Sequence, residues 1–260
     1  MNVWEARVVV RERSLAEIVD LAVRFSLVLG GGLYLKLGAC LLLPAYSLCW
    51  LLLHWEVSPA WVGVLGVALY SLLQLPFTVA AGRLMFSADV SLGLVLSSSA
   101  RLLYRATLAR CLALLLIVGG TLIVIAAPLV VTRALFMDEV VVLEGAGAMG
   151  AYRRATRLTS GRVPESFGVW LALLVISAAF IAVCQIFASA LAAEGLPIEA
   201  LPSVWQGLNW QAGLAGLFLS VPLVATLRFL AYIDNRTRRE GWDIQVRFLE
   251  LGRALSEGAE

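Results

Sequence analysis

The stretch FGVWLALLVISAAFIAVCQIFASALAA, Phe167–Ala193, decides the class of this protein. It carries no charged side chain, and it exceeds the roughly 20 mostly apolar residues a helix needs to cross a bilayer. Working outward from it, three more runs pass the same test: Ser26–Leu53, Ala60–Ala81 and Leu208–Ile233. The whole chain agrees. Of its 260 residues 61% are hydrophobic and 15% charged, and its mean hydropathy is +0.89. Ordinary soluble domains are about half apolar and about a quarter charged. The first run is far longer than the roughly 7–15 residues of a signal-peptide core, so it reads as a retained span. The length suits one membrane domain with little left for a separate soluble one.

One region resists counting. Cys111–Leu143 is too long for one span and short for two, with Gly119 and Gly120 in its first half and Pro128 near its middle. Proline cannot donate a backbone hydrogen bond and disfavours helix at the residue before it. Either Cys111–Phe136 crosses once, or a tight pair runs over about 111–127 and 129–144. Charge decides between the two, because Lys and Arg of short loops concentrate on the cytoplasmic side. Seventeen of the 20 basic residues fall in four blocks: Arg7, Arg11, Arg13 and Arg24; Arg83, Arg101, Arg105 and Arg110; Arg153, Arg154, Arg157 and Arg162; Arg236, Arg238, Arg239, Arg247 and Arg253. The connections 54–59 and 194–207 hold no Lys or Arg. Six spans with both termini inside put every block in the cytoplasm. The expected fold is therefore all-α: an integral membrane bundle of six transmembrane helices over 26–233. Residues 1–25 and 234–260 form cytoplasmic amphipathic segments. The location implied is a membrane with both termini on its cytoplasmic side.

The basic blocks are patterned. Ser14 and Glu17 have capping-box spacing, and Ile18, Leu21, Ala22 and Phe25 recur behind them at helical spacing. Similar stripes run through 90–105, through 146–159 and through Trp242, Val246 and Leu249. Such helices can lie in the headgroup layer with Arg toward lipid phosphates, or pack on the protein's own cytoplasmic face. Arg101, Arg105, Arg153, Arg154, Arg157, Arg238 and Arg239 are the candidates for facing anionic lipid or a protein partner. Tryptophans 50, 55, 61, 205 and 210 fall at outer-interface depth, where such rings concentrate. Ala178 with Ala182, and Ala212 with Gly216 and Ser220, are small residues spaced by four, a pattern that lets membrane helices approach closely.

Charge inside the membrane is the best pointer to function, because an ionised side chain at mid-bilayer costs roughly 2.5–3.5 kcal/mol even on a permissive scale. Lys36 lies within the first span; Arg133, Asp138 and Glu139 lie on the proposed fourth. By helical depth Lys36 could meet Asp138 or Glu139 near the midplane, as a polar pathway or as a structural ion pair. Arg133 could reach the outer interface by snorkelling.

Other chemistry finds little footing. Gly145-Ala146-Gly147-Ala148-Met149-Gly150 fits a dinucleotide fingerprint, and Glu165 follows at the right distance. A second parallel strand is needed before that acid, however, and Leu158–Pro164 has no strand pattern. The glycines read instead as the turn from span four into the next helix. Cys40, Cys49, Cys111 and Cys184 lie in apolar stretches without metal or redox spacing, and His54 is the sole histidine. No cofactor, metal, nucleotide or nucleic acid is expected, and no hydrolase motif is present.

Several stretches resemble the bacterial family known as the glycerophosphodiester phosphodiesterase membrane domain. They are Arg13-Ser14-Leu15-Ala16-Glu17-Ile18, Val142-Leu143-Glu144-Gly145, Tyr152–Leu158 followed by Gly161-Arg162, and Tyr232, Asp234 and Arg238–Asp243. The resemblance spans most of the chain and implies six spans with cytoplasmic termini. It implies no activity, since the family's catalytic carboxylates belong to a fused barrel that this chain lacks. The chain departs from the pattern at Glu12, where the family often has proline, and at Asp138-Glu139, which interrupt a usually apolar stretch. The expected function is that of a non-catalytic accessory or scaffold subunit. A transporter component using Lys36, Asp138 and Glu139 is the alternative.

Overall fold

The computed structural model describes residues 12–87, 89–121, 127–193 and 209–240. Among them every regular element is a helix: α1 (Leu15–Arg24), α2 (Gly31–Leu37), α3 (Leu43–His54), α4 (Pro59–Leu84), α5 (Leu92–Thr121), α6 (Ala127–Ala134), α7 (Met137–Glu144), α8 (Ala148–Thr159), α9 (Val163–Ala193) and α10 (Trp210–Glu240). Two wider, π-type segments, Phe25–Leu29 and Gly38–Leu42, join α1 through α3. Val140–Val142, which would be the strand before a dinucleotide fingerprint, lies in helix α7, and Leu158–Pro164 holds no strand. The stripe at Trp242, Val246 and Leu249, and Trp205, lie outside the described residues.

Among the described residues five helices are long and apolar enough to cross a membrane: Gly31–His54, Pro59–Leu84, Leu92–Gly120, Val163–Leu191 and Trp210–Arg239. The segment expected as a fourth span is instead two eight-residue helices, α6 and α7, broken at Leu135-Phe136. Eight residues rise about 12 Å, well short of the roughly 30 Å hydrocarbon layer. By helix length and composition the count is five.

Local chemistry explains the joints. Ser14 caps α1 in a full capping box: its hydroxyl accepts from the Glu17 N–H, and the Glu17 carboxylate accepts from the Ser14 N–H. Pro44, in the first turn of α3, lacks the N–H that an uninterrupted helix would use there, and a π-type turn precedes it. Gly30 bends the chain ahead of α2, and a Cβ there would sit 3.0 Å from the Tyr34 ring. The glycine lets that ring turn inward, where its hydroxyl meets Thr226 of α10 at 2.8 Å. Gly145 ends α7 at φ 66°, in the left-handed region glycine favours.

Helix α10 is the centre of the bundle. It packs most extensively on α9, then on α4, and also meets α1, α3 and α8. From Ser220 to Asn235 its side chains are buried almost all round, with Phe229 and Tyr232 among the largest enclosed groups. A helix apolar around most of its circumference belongs inside. Its seam with α9 is very close: a Cβ on Gly216 would lie 2.6 Å from the Phe180 carbonyl oxygen and the Ile181 Cα. Ala212 and Ser220 on the same stripe are buried, as small-residue packing expects, whereas Ala178 and Ala182 are exposed.

The two ends of the bundle differ. At one end Arg83 of α4 donates to Ser98 of α5 at 2.8 Å, and the Arg13 N–H donates to Asp234 at 2.8 Å. Arg238 there bridges Asp234 and Glu12, and Arg239 donates to the Arg157 carbonyl and to Ser160. Residues of all four basic blocks gather there, though not Arg110. The opposite end carries exposed Trp55 and Trp61 around the α3–α4 turn and Trp210 opening α10 against Gly63. Helix α8 turns Ala151, Ala155, Leu158 and Thr159 into the protein and leaves Arg153 and Arg157 outside. The bundle thus covers most of its apolar face, but Met149, expected on the same stripe, stays 54% exposed.

Candidate functional site

The site grows from the start of α7. Asp138 and Glu139 occupy its first turn, where the positive end of the helix dipole favours negative charge. Adjacent residues on a helix point about 100° apart, so the two carboxylates address different neighbours. Glu139 faces α10, and Asp138 sits between α10 and α5. Arg228 of α10 donates through Nε to Glu139 Oε1 at 2.5 Å and through Nη2 to Asp138 Oδ2 at 2.8 Å. Arg110 of α5 donates through Nε to both Asp138 oxygens, at 3.2 and 3.1 Å. The Glu139 side chain is fully enclosed, and the other three are 9–13% exposed.

Two guanidinium groups and two carboxylates cancel in formal charge. That is the physical condition for holding four ions in a low-dielectric interior, since an unpaired buried ion costs several kcal/mol. The arrangement is not saturated. Glu139 Oε2 and Arg110 Nη1 and Nη2 are buried without a hydrogen-bond partner. Nη2 does lie 3.1 Å from Asp138 Oδ2, but off the line a hydrogen bond needs.

A second tier sits at the far end of α7, toward the arginine-rich end. Glu144 accepts from the Tyr232 hydroxyl at 2.7 Å and from Arg154 Nε at 2.9 Å, with Arg236 at 3.9 Å. Beside it Arg105 donates to the Gly145 carbonyl at 3.0 Å, occupying an acceptor at the end of the helix. The short helix α7 is therefore pinned to α10 at both ends, to α5 directly, and to α8 through Glu144.

Of the residues expected to form an intramembrane site, Asp138 and Glu139 are in it. Lys36 is exposed on α2 and makes no ion pair with a described residue, so the expected meeting of Lys36 with the carboxylates does not occur. Its alternation with buried Tyr34 and Leu37 turns it outward. Arg133 is half-buried on α6, outside the quartet. The actual partners were passed over in the sequence: Arg110 counted among the cytoplasmic block, and Arg228 had no assigned role. A signal existed for Arg228, a lone cation deep in an otherwise apolar run.

The arginines expected to face lipid or a partner divide by use. Arg101, Arg153 and Arg157 are exposed, and their side chains make no ion pair or hydrogen bond with a described residue. Arg105 and Arg239 hold backbone carbonyls. Arg154 and Arg238 sit in ion pairs.

Beside the charge quartet lies a cavity of about 580 Å³ between α4, α5, α6, α9 and α10. Arg110, Asp138 and Arg228 form its charged end; Tyr70, Gln74 and Ser177 add polar groups, and the remaining wall is largely apolar. The Tyr70 and Ser177 hydroxyls meet at 3.0 Å. Among the described residues no group of three or more His, Cys, Asp and Glu side chains could hold a metal ion. No family model, no curated protein and no solved structure matches this chain.

Proposed function

We propose that this chain is a non-catalytic, multi-pass protein of a bacterial inner membrane, of the glycerophosphodiester phosphodiesterase membrane-domain type. It acts as an accessory or scaffold subunit. Its arginine-rich end lies in the cytoplasm, where the exposed side chains of Arg101, Arg153 and Arg157 engage anionic headgroups or an acidic partner surface. The observation that carries this reading is the division of labour among the arginines. Those needed for the fold are paired or bound to carbonyls, and three at the same end remain free and outward.

An even number of crossings, six, with both termini inside follows from the same asymmetry. Helix α5 starts at the arginine end, and α8 lies at that end too, so the chain between Thr121 and Ala148 returns. It does so through α6 and α7, whose lengths add to a short, bent crossing. Neighbour tilt and local thinning absorb the mismatch. The α1 and α8 helices lie at the inner headgroup layer with their apolar faces on the bundle. The outer interface is the tryptophan end, consistent with the enrichment of such rings there.

The test uses the full chain in nanodiscs of mixed phosphatidylglycerol and phosphatidylcholine. The retained-lipid ratio after partial delipidation, read by native mass spectrometry, should favour phosphatidylglycerol. The triple change Arg101→Gln, Arg153→Gln and Arg157→Gln should abolish that preference. A triple variant that keeps the full preference contradicts the lipid arm. Cross-linking from position 153 that captures no partner contradicts the scaffold arm.

A further inference from the structure

We infer that the cavity beside the charge quartet is a binding site for an uncharged long-chain amphiphile. Its head carries carbonyl or ester oxygens and its tail lies along the apolar wall. Shape comes first. The lining runs from Arg228 to Leu217 on α10 and from Trp170 to Ile181 on α9, about 17 Å in each case at 1.5 Å per residue. The volume, about 580 Å³, falls within the roughly 300–1,000 Å³ typical of small-molecule pockets. The space is elongated, charged at one end, with Tyr70, Ser71 and Ser177 part-way along an otherwise apolar wall, an arrangement that suits a polar head and a long tail.

Access comes second. Helices α5 and α9 share little direct packing; α6 bridges them by packing on both. Leu114 of α5 and Leu174 of α9 line the cavity while remaining 63% and 46% exposed. In a bilayer those side chains face acyl chains, so a ligand can enter sideways from the membrane without passing through water.

The head group follows from donor and charge accounting. Arg110 lines the cavity and has two buried nitrogens lacking an aligned acceptor. A buried donor left unmet costs about 1–3 kcal/mol; these two are closed off from the cavity as it stands, and a turn of the Arg110 side chain into it would bring them to a head-group oxygen. A net charge is not lacking, because Arg110 and Arg228 are already balanced by Asp138 and Glu139. An anionic head would leave one uncompensated charge in the interior; a neutral carbonyl supplies the acceptor without one. Tyr70 and Gln74 add hydrogen-bonding groups on the facing wall. Diacylglycerol and an isoprenoid quinone share this chemistry. The site is distinct from the outward arginines, so the two readings stand or fall separately.

The experiment reconstitutes the full chain in liposomes with a photoactivatable diacylglycerol, and in parallel with a photoactivatable phosphatidylglycerol. The diacylglycerol probe should label residues 110–117 and 170–181 saturably, above the outward stretch Leu27-Val28. Ala178→Trp, which fills the cavity from α9, should cut that labelling at least about tenfold. Ala113→Phe fills it from α5 and serves if the first variant does not fold. Displacement by an isoprenoid quinone assigns the head to the quinone source, and displacement by unlabelled diacylglycerol alone assigns it to the glyceride; either supports the inference. Equal labelling by the phosphatidylglycerol probe, labelling no stronger than at Leu27-Val28, or unchanged labelling in both folded variants overturns it.

Discussion

Helix α10 is joined to the rest of the molecule by two seams of opposite character. Toward α9 the seam is steric. Gly216 sits where a side chain would strike the neighbouring backbone, and Gln185 meets Asn209 at its outer end, donating to its carbonyl at 2.8 Å and accepting from its N–H. Toward α5 and α7 the seam is electrostatic, built from Arg228, Arg110, Asp138 and Glu139. The steric seam tolerates no added volume but contains nothing that must be balanced. The electrostatic seam tolerates changes of shape but none in charge count. In a membrane the distinction matters, since apolar side chains gain little from burial when lipid is just as apolar. Close packing and balanced charge carry the specificity instead.

The largest expected effect breaks the steric seam. Gly216→Leu should destabilise by more than about 5 kcal/mol, because backbone atoms 2.6 Å from its Cβ have no room to give. Loss of the folded population in mixed-micelle SDS titration would show it. A normal midpoint would mean that α9 and α10 do not approach so closely.

The next breaks the electrostatic seam and then repairs it. Arg228→Met alone should cost about 3–5 kcal/mol, since it strands two buried carboxylates on Arg110. Adding Glu139→Leu leaves one Arg110–Asp138 pair and should restore stability to within about 1 kcal/mol of the original. A double variant no better than the single would show that the seam depends on geometry more than on charge balance. Gly145→Ala probes how α7 is aimed into that seam. At φ 66° it should cost about 1–2 kcal/mol, with the same titration as the readout. The smallest effect belongs to a charge in neither seam. Lys36→Gln should shift stability by no more than about 0.5 kcal/mol; a loss as large as that of Arg228→Met would place Lys36 in a paired site after all.

Much of this was legible in the residues. Four of the long helices, the capping box at Ser14, the turn at Gly145 and the stripe around Gly216 follow from hydropathy, spacing and the special geometry of glycine; the fifth, α5, joins a stretch expected as a separate amphipathic helix to one expected as a span. Asp138 and Glu139 announced themselves as acids in an apolar stretch. Their partners did not. Hydropathy gives depth along a helix, but which face meets which neighbour is a property of the packed bundle. Lys36 and Arg228 look alike in the sequence, as single cations among apolar residues; only α10's central position buries the second. Arg110 was obscured differently, because α5 continues unbroken from its basic start into the apolar layer and the boundary falls inside one helix. The break at Leu135-Phe136 was hidden because no proline or glycine marks it.

The claim beneath all of this is that the arginine end and the tryptophan end of the bundle face opposite sides of a membrane. It is tested most directly in a chain whose four native cysteines are replaced by serine, with one new cysteine at Glu56 or at Arg153. Intact cells are treated with a membrane-impermeant maleimide. The expected result is labelling of position 56 before permeabilisation and of position 153 only after it. Labelling of position 153 in intact cells, or of neither position before permeabilisation, would contradict the account.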